Sequence, residues 1–220
     1  NKNLATGEIE VIVNTLELIN TSKRVIPKKL LYIGNYEDVI PPAMLYKYCE
    51  RVRELTLRGM KDVDYGELED FPKLLRLDIM ETEVPSFDFI KKMKNLKALK
   101  LADVSIHDLN FLYDLPKLKE FEMHYRAEDE TALECISNMK YLQSFDYPVA
   151  DMSIYKECPK IQSIGIDASR VCNIEALEGK DTISDVMIYF AESDEQFELQ
   201  IAELEKYLKL DSYGQCYIEL

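Results

Sequence analysis

The stretch LKALKLADVSIHDLNFLYDLPKL, from Leu96 to Leu118, holds two periods in succession. Its first part, Leu96-x-x-Leu99-x-Leu101, alternates apolar and other residues as a strand with one buried face does, because successive side chains leave a strand on opposite sides. Its second part recurs every third residue, at Ile106, Leu109, Leu112 and Leu115, and delivers the chain to Leu118, where the strand phrase starts again. A spacing of three suits a 3-10 turn or a short helix. One unit is therefore a short strand with a tight helical return, and such a unit cannot bury its apolar face alone.

The phrase repeats in both directions. Upstream stand Val52-x-x-Leu55-x-Leu57 and Leu74-x-x-Leu77-x-Ile79; downstream stand Leu118-x-x-Phe121-x-Met123, Leu142-x-x-Phe145-x-Tyr147, Ile161-x-x-Ile164-x-Ile166 and Ile183-x-x-Val186-x-Ile188. The steps are 22 residues as far as Leu118, then 24, 19 and 22. The return repeats too, as Val84, Phe87, Ile90 and Met93 before Leu96, and as Met152, Tyr155 and Cys158 before Ile161. Seven copies in one register predict stacked coils sharing a continuous core.

This pattern resembles the leucine-rich-repeat superfamily, specifically its short, internalin-like class of 22-residue units, over about Leu31 to Ile188. The resemblance implies an α/β fold: a right-handed solenoid with a parallel concave sheet and short helical or 3-10 returns. It also implies protein recognition on the concave face. That family places Asn at the ninth position of the unit, where its amide satisfies backbone groups at the bend. Here the position holds Met60, Thr82, Val104, Arg126, Ala150, Ser169 and Ala191, so less regular stacking is expected.

Both ends read as caps, and the organisation expected is one domain over residues 1–220. Residues 1–51 would hold an N-terminal cap and a degenerate repeat, 52–190 the repeats, and 191–220 a helix and strand. Glu8 to Val13 alternates as a strand, Leu31-Tyr-Ile33 resembles a first repeat, and Pro41-Pro42 suits a helix start with Ala43, Tyr46 and Cys49 inward. Ser193-Asp-Glu-Gln196 has the form of a capping box, followed by the apolar stripe Phe197, Ile201, Leu204 and Leu208. A final strand, Cys216 to Leu220, would cover the open edge.

Composition narrows the function. With 41 acidic against 27 basic side chains the formal charge is -14, which repels nucleic acid and anionic lipid heads. The basic run Lys91, Lys92, Lys94 and Lys97 is short and offset by neighbouring acids. An acidic surface keeps a repeat protein soluble and also suits a basic partner. No stretch approaches the roughly 20 apolar residues of a membrane span. The five cysteines, 49, 135, 158, 172 and 216, form no framework and no zinc pattern; free thiols in a reducing compartment, cytoplasmic rather than secreted, are the reading they favour. The chain starts at Asn1, so a targeting segment is not legible in it.

Residues between the inward leucines should project to the concave side. Before the second leucine stand Glu54, Arg76, Ala98, Glu120, Ser144, Ser163 and Asp185. Between the leucines stand Thr56, Asp78, Lys100, Glu122, Asp146, Gly165 and Met187; the next column is Arg58, Met80, Ala102, His124, Pro148, Asp167 and Tyr189. Arg58, Arg76 and Lys100 fall in early repeats, Glu120, Glu122, Asp146, Asp167 and Asp185 in later ones, so the face is expected to be basic first and acidic later. Segregation of that kind orients a partner of opposite pattern. Met187, Tyr189, Phe190 and Met80 add apolar surface of the kind that anchors interfaces.

No catalytic constellation is legible. His107 and His124 are the only histidines and occupy different repeats, and no phosphate-cradling glycine loop is present. Glu122 with Asp146 and Asp167 is the one grouping resembling a carboxylate pair or an oxygen cage for calcium, yet no cleft is apparent to exclude water. The expectation is a monomeric, non-enzymatic scaffold without cofactor or bound metal, taking a protein partner on Arg58, Arg76, Asp78, Lys100, Glu120, Glu122, His124, Asp146, Asp167, Asp185, Met187 and Tyr189. Two other readings of the same residues are an acidic, immunity-type neutraliser of a basic toxin and a structural module of a larger surface protein.

Overall fold

The computed structural model describes residues 29–33, 52–59 and 65–216. Two compact units make up the chain, Asn1–Val104 and Ser105–Leu220. In the first, β1 (Lys29–Ile33), β2 (Glu54–Arg58), β3 (Arg76–Met80) and β4 (Ala98–Ala102) pair in parallel in chain order. Register places Leu55 opposite Leu77 opposite Leu99, and Leu57 opposite Ile79 opposite Leu101. All six are buried, as the repeat demands, and each buried aliphatic side chain of this kind contributes about 1.5–3 kcal/mol. The first strand departs from expectation by one residue. Its register sets Leu30 and Tyr32, not Leu31 and Ile33, opposite Leu55 and Leu57.

The second unit holds β5 (Glu120–Met123), β6 (Ser144–Val149), β7 (Ser163–Asp167) and β8 (Asp185–Tyr189), then helix α1 (Asp194–Leu204) and β9 (Ser212–Cys216). These strands are also parallel and paired in chain order. Between them run 3-10 helices at Asn110–Asp114, Thr131–Asn138, Met152–Tyr155 and Ile174–Leu177. The spacing of three has a direct cause: the amides of Leu112, Leu115 and Leu118 donate in turn to the carbonyls of Leu109, Leu112 and Leu115 at 2.9–3.1 Å. Each inward residue of the return is thus hydrogen-bonded to the previous one, and all four are buried.

Satisfying the bends without an asparagine at the ninth position takes several devices. Asp108, Asp129 and Asp151 each accept an amide two residues on, from Asn110, Thr131 and Ser153, at 2.8–2.9 Å, and so begin the return turns. Thr82, at the ninth position, donates its hydroxyl to the Met80 carbonyl at 2.7 Å. Gly59, Glu81, Asp103 and Phe190 follow the strands with positive φ, 64°, 51°, 54° and 55°. Only glycine adopts that conformation without strain, so Phe190 is the most unusual of the four.

β6 carries the main irregularity. Phe145 pairs with Ile164 and Val149 with Ile166, so Asp146, Tyr147 and Pro148 together oppose the single residue Gly165. The bulge lies within the step of 19; the step of 24 ends before it, at Leu142, and its coil holds the long return helix Thr131–Asn138. The bulge also corrects the column containing Pro148, which is buried, while Ala150 follows the strand. Gly165 is required because a Cβ there would lie 2.4 Å from the Tyr147 carbonyl oxygen.

At the C-terminal end, the Ser193 hydroxyl accepts the Gln196 amide at 3.2 Å, while the Gln196 side chain accepts the amide of Glu192 rather than that of Ser193. Ile201, Leu204 and Leu208 are buried and Phe197 packs its ring 6.1 Å from Tyr213. The closing strand spans Ser212–Cys216, four residues earlier than the sequence suggests, and pairs with β8. The strand expected at Glu8 to Val13, the Pro41-Pro42 helix with Cys49, and residues 217–220 lie outside the described residues.

Cys135, Cys158, Cys172 and Cys216 are free thiols. Burial pushes Cys135 up to about 12 and Cys158 up to about 11, while Cys172 is exposed. Thiolates are the reactive species, so among these four Cys172 should be alkylated first in the native protein, with Cys135 and Cys158 reacting only after denaturation. Peptide mapping of the label against time checks this; early labelling of Cys158 would contradict its burial.

Candidate functional site

Strand pairing aligns the residues of the first two columns within each unit, while the bulge in β6 breaks the third. In the second unit Glu120, Ser144, Ser163, Asp185 and Ser212 form one row, and Glu122 lies opposite Asp146. Glu120 is exposed, and Glu122, His124, Asp146, Asp185 and Met187 are half-exposed. His124 follows directly on the end of β5, two residues after Glu122, and its Nε2 lies 3.1 Å from a Glu122 oxygen. Tyr189 crosses from β8 and donates its hydroxyl to Asp146 Oδ1 at 2.6 Å, with its ring 5.9 Å from the imidazole. The intervening strand offers only Gly165 at that level. Burial and then the Asp146 carboxylate push the Tyr189 hydroxyl far above its ordinary value, so it serves as a donor.

Three residues expected to meet a partner, Asp78, Asp167 and Tyr189, are buried. Asp167 is 0% exposed and is held by Arg126 at 2.6 Å, Arg170 at 2.7 Å and the Ser169 hydroxyl at 2.7 Å. Burial alone pushes its carboxyl up; the hydrogen bonds from Ser169, Arg170 and Arg126 outweigh that and hold it below the usual range. The physical reason is Arg126, whose ninth-position side chain bends over the strand end and makes Asp167 the counter-ion of a bend. Arg170 extends the network to Glu130 at 3.1 Å, and Glu130 accepts the Tyr147 hydroxyl at 2.7 Å. Phe190 lies over the Arg126 guanidinium, 4.1 Å from its ring centroid, which supplies a partner for the strained residue. Tyr189 is likewise 0% exposed, because its ring lies down along the strands to reach Asp146. It positions the face and does not project from it.

In the first unit the basic residues carry their own compensation. Arg58 pairs with Glu81 at 2.6 Å and Arg76 with Asp78 at 3.0 Å. Asp78, expected on the outward face, is buried beside Arg76, and desolvation pushes its carboxyl up despite the Arg76, Lys100 and Thr56 contacts that pull it down. Lys100 and Met80 are half-exposed. The basic early half is therefore less basic than its side-chain count implies, since Glu81 sits at a bend position that the strand columns do not include.

His107 is exposed and lies 2.7 Å from Glu128, whose hydrogen bond raises the imidazole above its ordinary value. It shares no contact with His124. Of the grouping Glu122, Asp146 and Asp167, the fold brings the first two together, adds His124, and diverts Asp167. One potential ligand atom from each of Glu122, His124 and Asp146 lies within 4.8 Å of the others. The reach of Tyr189 and the bulge that carries Asp146 have no signature in a strand-column reading. No helix among the described residues is long and apolar enough to cross a membrane.

Comparison with solved structures places the fold. Similar chains include an internalin of Listeria monocytogenes, at 16% identity and TM-score 0.58 over 87% of this chain and 54% of that one, and internalin C2 of the same organism, at 17% and 0.59 over 73% and 70%. A chain of the Drosophila Toll-Spatzle complex is similar over 76% of this chain and 24% of its own length, at 12% identity and TM-score 0.54. This chain thus spans about half the length of the first internalin. No family model matches, and no curated protein matches. The fold is a leucine-rich-repeat solenoid of the internalin type.

Proposed function

We propose that the chain is a non-enzymatic scaffold that captures a basic protein on the outward face of β5 to β9. The observation that carries this reading is the row of acids Glu120, Glu122, Asp146 and Asp185, exposed or half-exposed on one face and mounted on strands rather than on loops. Strand mounting fixes the spacing of the charges before a partner arrives, which reduces the ordering cost of association. A net charge of -14 adds a long-range attraction that speeds encounter with a basic surface. Half-exposed Met187 supplies an apolar contact beside the acids. That a chain of similar fold is known from a complex supports a binding role.

Immobilised protein exposed to an extract of its source cell should retain a basic species that elutes as salt rises. The screening length falls from about 10 Å at 0.1 M to about 3 Å at 1 M, so an exposed acidic face loses most of its attraction over that range. Retention that persists at 1 M salt, or retention of acidic proteins alone, would count against the reading.

A further inference from the structure

The charged cluster on β5 and β6 has a composition that protein docking does not require. Glu122 and Asp146 face each other across the strand pair, and like carboxylates directly opposite repel. His124, just past the end of β5, adds a nitrogen ligand, and the three ligand atoms lie within 4.8 Å of one another. Tyr189, buried and anchored in β8, fixes Asp146 by a 2.6 Å hydrogen bond and sets its ring beside His124. Outer-shell partners of this kind orient metal ligands.

We propose that Glu122, His124 and Asp146 form a binding site for a divalent first-row metal ion, with zinc the best match. Two carboxylates and one imidazole leave a fourth tetrahedral position for water or for a group on a partner. An imidazole favours zinc and its neighbours over calcium or magnesium, which prefer oxygen alone. With metal-ligand bonds of about 2 Å, tetrahedral ligands stand about 3.4 Å apart, so the half-exposed side chains close by roughly 1 Å without moving the strands. The His124 nitrogen now hydrogen-bonded to Glu122 turns to the ion. The site stands whether or not a protein docks on this face.

Zinc chloride titrated calorimetrically into the purified chain, in a Cys172→Ser background that removes the exposed thiol, tests the proposal. One saturable equivalent is expected. His124→Gln and Asp146→Asn should each weaken it at least tenfold, and Tyr189→Phe about tenfold through the lost orientation of Asp146. His107→Gln should leave it unchanged, and an unchanged melting temperature in His124→Gln shows that the ligand variant is folded. Cobalt in place of zinc should give the absorption of a tetrahedral ion without a thiolate charge-transfer band. The absence of a saturable equivalent overturns the proposal. So does equal binding by His124→Gln, loss of binding in His107→Gln, or a thiolate band that puts the ion on a cysteine.

Discussion

Phe145→Ala should lower stability by about 3–5 kcal/mol, the cost typical of emptying a buried aromatic site. For a chain of this size that corresponds to a fall in melting temperature of roughly 6–20 °C. Phe145 is 0% exposed and joins the aromatic groups of neighbouring coils: Phe121 stacks on it at 5.1 Å, Tyr147 lies at 5.9 Å, and Tyr155 meets it edge-on at 6.4 Å. Alanine leaves a cavity that the surrounding rings cannot close, because Tyr147 is tied by its hydroxyl to Glu130 and to the Ala127 amide. Phe145→Leu keeps most of the volume and should cost less than about 1.5 kcal/mol. Thermal and denaturant unfolding of both variants checks the pair. A fall below about 2 °C for alanine would mean that these rings are not the core of the second unit.

Gly165→Ala is expected to be nearly as damaging although it adds a single methyl. Its Cβ would lie 2.4 Å from the Tyr147 carbonyl oxygen and 2.6 Å from the Tyr147 amide nitrogen. Both atoms belong to backbone held by the bulge, so relief requires the strand pair to separate. Overpacking of this kind costs about 3 kcal/mol or more, or roughly 6–12 °C in melting temperature. Two other glycines calibrate the effect. At Gly214 a methyl meets only the flexible end of Met187, at 3.2 Å, and at Gly179 it meets nothing but must take φ 77°. Gly214→Ala should be close to neutral, and Gly179→Ala should cost about 1 kcal/mol. If Gly165→Ala melts with the parent, the bulge is not built as described.

The repeat was legible because two periods, alternation and spacing by three, recur in fixed order, and each period is the direct trace of a backbone geometry. Leu99 and Leu101 are inward for the same reason that Leu109 and Leu112 are. The irregular coils announced themselves only as the steps 24 and 19, and nothing in the sequence marks the bulge of Asp146 to Pro148 opposite Gly165, which only the fold displays. The column rule gave the direction of Asp167 and Tyr189 but not their burial. Direction is a property of one strand, whereas burial depended on Arg126 bending over a strand end and on Tyr189 reaching two strands away. His124, read alone in its column, gained its neighbours in the same way. The bend residues Glu81, Asp103 and Phe190 were illegible because none is a residue type that prefers positive φ strongly enough to mark the position.

Charge reversal on the two sides of the second unit tests the recognition face most directly. In one variant Glu120, Glu122 and Asp185 become lysine; in the other Asp114, Glu134 and Glu157, which lie on the return segments and lead-ins opposite the strands, become lysine. The two sets change the net charge equally, and reversals at exposed or half-exposed positions should move stability by only about 0–1 kcal/mol each. Association of each variant with the basic species captured by the parent is then followed at physiological salt. The outward-face variant should bind at least tenfold more weakly, chiefly through slower association, while the return-side variant should stay within about twofold of the parent. Equal loss in both variants, or a larger loss in the return-side one, would show that the strand face is not where the partner is recognised.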